Sequence, residues 1–194
     1  MCYHIGLEAL ALRELRRALE IDPSGRITKA VYQDGMFLLG RSDEVMDVSV
    51  PEIVIGPRAL ALMWKGRLDE AEASLREHLA ADSGNPYALG MQALLLARRG
   101  KFAEAESGLA EIAAKAGDSK AAHHVSYAIA SVYALDGRAR DAVTWLRKTA
   151  ETGMPDYPLF VRDPHLDRIR SDPGFLAFMA ELKPRWEAYR KEFE

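Results

Sequence analysis

The chain has a single cysteine, Cys2, among its 194 residues. One thiol cannot close an internal disulfide or build a thiolate zinc site alone, so the sequence suits a reducing compartment, and the cytoplasm is the expected location. No apolar run approaches the roughly 20 residues that a membrane-spanning helix needs. The opening MCYHIGLEALALRELRR lacks the basic region, apolar core and cleavage site of a secretory signal. Charge of one sign is also missing: 26 Lys and Arg face 29 Asp and Glu, giving a formal charge of -3 with no long one-signed run. Such a surface sets up no field for nucleic acid or anionic lipid, so neither is an expected partner. Catalytic signatures are absent as well. There is no Gly-rich phosphate loop, no kinase-type lysine strand or catalytic loop, and no local nucleophile-base motif. No enzyme activity, catalytic residue, cofactor or metal is therefore expected.

What the chain does have is 48% hydrophobic residues beside 28% charged ones, enough for a buried core under a soluble surface. It also repeats itself. A glycine followed by a small or polar residue and an acidic-Ala/Val pair recurs at Gly6, Gly40, Gly66, Gly100 and Gly137, at spacings of 34, 26, 34 and 37 residues. Apolar helical patterns flank the glycines, as in YALGMQALLLARR before Gly100. A glycine just past a helix end takes the left-handed conformation of a Schellman cap, so each one predicts a helix, a tight turn and a second helix. Five residues after four of the glycines stand Ala11, Ala71, Ala105 and Ala142, small enough for close helix approach. Leu15, Leu75, Leu109 and Leu146 follow four residues later on the same face.

This pattern resembles the tetratricopeptide repeat (TPR) family over residues 1–152, with Ala11, Leu15, Ala18 and Pro23 matching its second-helix signature best. The resemblance implies an all-α, right-handed solenoid of helical hairpins acting as a protein-interaction scaffold. Two stretches depart from it. Eight residues are missing between Gly40 and Gly66, where EVMDVSVPEIVIGP predicts a short or irregular second helix, and AKAGDSKAA lengthens a later loop. Gly6 also arrives before there is room for a first helix. A fragment of a longer chain is the favoured explanation; a cap-like packing of the orphan helix and pairing with a second copy are the others.

From 153 to 194 a helical cap is expected. Asp163 and Asp172 should cap helix starts with Pro164 and Pro173 at first helical positions, and a long amphipathic helix carrying Pro184 should follow. The stretch YPLFVRDPHLDRIRSDPGFLAFM looks like the tail found after TPR arrays in bacterial signalling proteins, which implies a bacterial source and a regulatory setting.

Aligned on the closing glycines, the family's groove offsets fall on residues including Ile27, Asp34, Ile53, Leu60, Met63, Tyr87, Leu94, His124 and Tyr127, with Arg98 one offset further. The groove so defined is mainly apolar, and the lysine, asparagine and arginine of the family's carboxylate clamp are absent at these offsets. A protein or peptide partner anchored by Tyr87, Leu94, Arg98, His124, Tyr127, Leu60 and Met63 is the leading expectation, with internal packing of these side chains as the competing one. His123 and His124 are neighbours on a helix, where side chains diverge by about 100°; they are expected to pack separately rather than to share an ion. An RNA-reading helical repeat predicts a basic groove and so fits poorly. An enzyme with an unrecognised site would need a polar pocket of convergent titratable groups.

Overall fold

The computed structural model describes residues 2–47, 56–117, 119 and 121–193. Helix makes up 80% of the chain, and no strand occurs among the described residues. After a 3-10 turn at Cys2–Ile5 come α1 (Glu8–Ile21), α2 (Arg26–Leu38), α3 (Ser42–Asp47), α4 (Gly56–Trp64), α5 (Leu68–Ala81) and α6 (Pro86–Arg98). Then follow α7 (Phe102–Glu106), α8 (Leu109–Ala116), α9 (Ala122–Leu135), α10 (Ala139–Glu151), α11 (Tyr157–Arg162), a 3-10 stretch at Pro164–Ile169, and α12 (Pro173–Phe193). The segment predicted to be irregular, including Ile53, falls largely at 48–55, outside the described residues.

All five repeat glycines have positive φ, between 69° and 79°. Each closes the same pair of hydrogen bonds. At Gly100, for example, the glycine N–H donates to the Ala97 carbonyl and the Lys101 N–H to the Leu96 carbonyl, both at 2.9 Å. This is the Schellman arrangement, and it turns the chain into the next helix at every repeat. The alanines after the turns are 1% exposed or less, and the leucines that follow them 5% or less. One break was not anticipated: Ser107 and Gly108, the latter at φ 97°, divide the second helix of the fourth hairpin into α7 and α8. Glycine gives up about 1 kcal/mol of helix propensity relative to alanine, and here it adopts the left-handed conformation that ends the helix.

Helices α2, α4, α6 and α9 form a row in which each packs on the next. Helices α1, α3, α5, α7, α8 and α10 lie against that row as a second layer. Gly35 brings the layers close, since a methyl group there would come within 2.4 Å of Leu15 Cδ1.

The carboxy-terminal segment does more than cover one end. Met154, Leu159, Phe160 and Leu166 are completely buried, and the 3-10 stretch packs on α9. Trp186 Nε1 donates to the Gly6 carbonyl at 3.0 Å across 180 residues of sequence, and its ring stacks on Tyr157. Asp163 and Asp172 accept backbone N–H groups at the starts of their helices, as predicted, and α12 runs on through Pro184. Three arginines cap helix ends from a distance: Arg98 donates to the Met63 carbonyl, Arg162 to that of Leu38, and Arg170 to those of Phe160 and Asp163.

Asp156 caps α11 through the Leu159 N–H at 2.9 Å and is wholly buried. Burial pushes its carboxyl up to about 7, against the opposing pull of that hydrogen bond and of Arg162. The folded chain therefore holds this proton up to about pH 7, whereas the unfolded chain releases it near 3.8. Between those values the native state binds more protons, and stability falls as pH rises, levelling off above the upper value. Asp156→Asn keeps a capping oxygen without the charge. Its thermal midpoint is expected to gain on the parent's steadily from pH 4 to 7; a constant difference across that range would contradict the assignment.

Candidate functional site

The amino-terminal turn, held by the Gly6 cap, carries Tyr3 and His4 to the start of α9, where His123 and His124 lie in the first turn. Asp34 reaches the same point from α2. Tyr87 comes from the first turn of α6, whose start is fixed by Pro86 and by the Asn85 side chain accepting from the Tyr87 and Ala88 N–H groups. The imidazole of His4 sits 4.7 Å from that of His123 and 5.2 Å from that of His124, centre to centre, while the last two are 4.3 Å apart. Asp34 Oδ2 lies 3.4 Å from His4 Nε2 and 3.7 Å from His124 Nε2. One ligand atom from each of the three histidines falls within 4.8 Å of the others.

Burial sets the protonation of this cluster. It lowers His123 to about 3, aided by the nearby His124 and His4 and opposed by Asp34 and the Thr152 backbone. It lowers His124 as well, against the pull of Asp34. For Asp34 burial acts upward, but the surrounding imidazoles and the hydrogen bond from His4 outweigh it and hold the carboxyl below its ordinary range. Burial and the Asp34 charge push Tyr87 well above the usual phenol value. At neutral pH, then, one carboxylate faces neutral imidazoles at His123 and His124 and a neutral phenol at Tyr87.

A cleft of about 250 Å³ opens over the cluster, lined by Tyr3, Ile27, Val31, Asp34, Tyr87 and His124 among others. Asp34 and His124 each keep 15% of their side-chain surface exposed on its floor. Ile27 stands 77% exposed at its lip.

Of the predicted groove positions, the fold brings Ile27, Asp34, Tyr87 and His124 to this cleft, and of the seven expected partner anchors only Tyr87 and His124. Leu60, Met63 and Leu94 are 3% exposed or less and belong to the core. Tyr127 is buried too: its hydroxyl donates to Asp163 Oδ2 at 2.7 Å, and its ring stacks on Phe160. Arg98 is engaged with the end of α4. The expected groove surface at these five positions is thus packing surface, covered by neighbouring helices and by the carboxy-terminal segment. The expectation that His123 and His124 pack separately is also revised. Although they are neighbours on the helix, their rings lie with centres 4.3 Å apart, and His4, 119 residues away, packs against both. His78 stays with its own helix, near the Ser74 carbonyl, and His165 lies beside Asp163.

No family model matches this chain, and no match was found among curated proteins or solved structures. Among the described residues no helix is long and apolar enough to cross a membrane.

Proposed function

We propose that the chain is a TPR-like, right-handed helical array serving as a protein-interaction scaffold. It receives an aliphatic side chain of a partner segment in the cleft between the amino-terminal turn, α2 and α6. The repeated Schellman turns and the two helix layers support the array. The observation that carries the binding role is the cleft itself, apolar at its lip, where Ile27 is 77% and Val31 38% exposed, and polar at its floor. Its volume suits one anchoring side chain, and Asp34 below can accept a hydrogen bond from the partner's backbone or from an adjacent lysine.

Selection from a displayed peptide library, followed by fluorescence anisotropy, tests this reading. Selected peptides are expected to share one aliphatic position and to bind Val31→Glu about 30-fold more weakly, as loss of a contact worth about 2 kcal/mol predicts. Equal binding to a Val31→Glu variant with unchanged helical circular dichroism would remove the cleft from consideration.

A further inference from the structure

We infer that His4, His123, His124 and Asp34 form a binding site for one divalent transition-metal ion of the zinc type, which staples the amino-terminal turn to α9. This goes beyond the partner-binding reading and stands without it.

Four observations converge. The first is the donor set, three imidazoles and one carboxylate, which suits a borderline cation such as Zn²⁺ and not the all-oxygen preference of Ca²⁺ or Mg²⁺. The second is distance. The three histidine ligand atoms lie within 4.8 Å of one another, whereas a tetrahedral zinc ion with bonds of about 2.0–2.1 Å holds its ligands about 3.3 Å apart. Side-chain movements of about 1.5 Å or less close that difference.

Third, the site contains a polar atom that packing alone does not explain. His4 and His123 are 7% and 8% exposed; His4 Nε2 faces the Asp34 carboxylate at 3.4 Å, but His123 Nε2 has no hydrogen-bond partner among the described residues. A cation shared with His4 and Asp34 gives that nitrogen a partner, which a buried polar atom requires.

Fourth, the surroundings orient the donors. The Thr152 backbone acts on the His123 imidazole, while that ring's Nε2 is buried and unpartnered. A backbone group beside a metal-binding imidazole helps to orient the ring. The cleft supplies an entry path, since Asp34 and His124 form its floor. With four protein donors from three separate elements the site is of the closed, structural type.

The test uses the full chain, stripped with chelator and titrated at pH 7.5 with Co²⁺ alone and then with Zn²⁺. One equivalent of Co²⁺ is expected to give the visible absorption of a low-coordinate ion, and Zn²⁺ to displace it. Zn²⁺ is also expected to shift the ring signals of His4, His123 and His124 in ¹H–¹³C spectra while those of His78 and His165 stay in place, and to raise the thermal midpoint. A His4→Gln/His123→Gln variant should lose on the order of 100-fold in affinity, at least the loss that removal of a supporting outer group causes. Cys2→Ser and His78→Gln should bind as the parent does. The inference fails if uptake never saturates, if the double variant keeps parental affinity, if Cys2→Ser abolishes binding, or if the shifted signals are those of His78 or His165. Should the double variant not fold, the parent's ring signals decide the matter alone.

Discussion

Asp163→Ala is expected to lower the unfolding free energy by about 3–6 kcal/mol, from two lost hydrogen bonds to a charged acceptor at about 1.5–3 kcal/mol each. Asp163 is completely buried, and both its oxygens are used. Oδ2 accepts the Tyr127 hydroxyl at 2.7 Å, and Oδ1 accepts the His165 N–H at 2.9 Å. Alanine leaves that phenol and that amide without partners inside the protein. It also removes a helix cap worth about 1 kcal/mol, while hydrogen bonds to charged groups contribute about 1.5–3 kcal/mol. Asp163→Asn retains acceptor capacity and should cost less. Tyr127→Phe should cost about 1.5–3 kcal/mol, and the two losses should not add, because both variants break one shared bond. Denaturant titrations of the single and double variants measure this directly. A loss below about 1 kcal/mol for Asp163→Ala would mean that the carboxy-terminal segment is not anchored through this residue.

Phe37→Ala is the second large effect, with an expected loss of about 3–5 kcal/mol. The Phe37 side chain is fully buried in α2, its ring centre 4.8 Å from that of Trp64 at the end of α4. Truncation removes the ring's burial, leaves a cavity and forfeits an aromatic pair worth about 0.5–1.5 kcal/mol. Against the roughly 5–15 kcal/mol that holds a typical domain together, this is a large share. Phe37→Leu fills most of the volume and should recover much of the loss. The Trp64 environment is expected to change in the alanine variant, visible as altered fluorescence that is absent when the same substitution is made together with Trp64→Phe. A loss under about 2 kcal/mol would show that the two helices do not depend on this contact.

How much of this was readable beforehand depended on how local the chemistry is. The Gly100 cap involves only residues 96–101, so its position could be inferred from a glycine at the end of an apolar pattern. The same holds for Asp163 and Pro164 at a helix start. The break at Ser107 and Gly108 was also present in local sequence, but alignment to the repeat period treated the stretch as one helix. Leu60, Met63 and Leu94 were assigned to a groove because the offsets presume an open face, and nothing local reveals that residues 154–170 pack into the interior. Arg98 was read as a groove anchor because its acceptor is a backbone carbonyl 35 residues away, which carries no side-chain signature. His4 was overlooked for a related reason. A short polar-aromatic turn at the start of a chain has no period, and only the fold relates it to His123.

The hydrogen bond between Trp186 and the Gly6 carbonyl has a consequence for synthesis. An extended repeat array gains its contacts between neighbours and can acquire structure hairpin by hairpin as it emerges from the ribosome. Here the first turn finds its indole partner only after 180 further residues have been made. The loop closed by that bond spans 180 residues, and such non-local pairings slow the final step of folding. Nascent chains that stop short of α12 should therefore remain open to protease at Gly6 even when their central hairpins are already protected, and protection at both ends should arrive together.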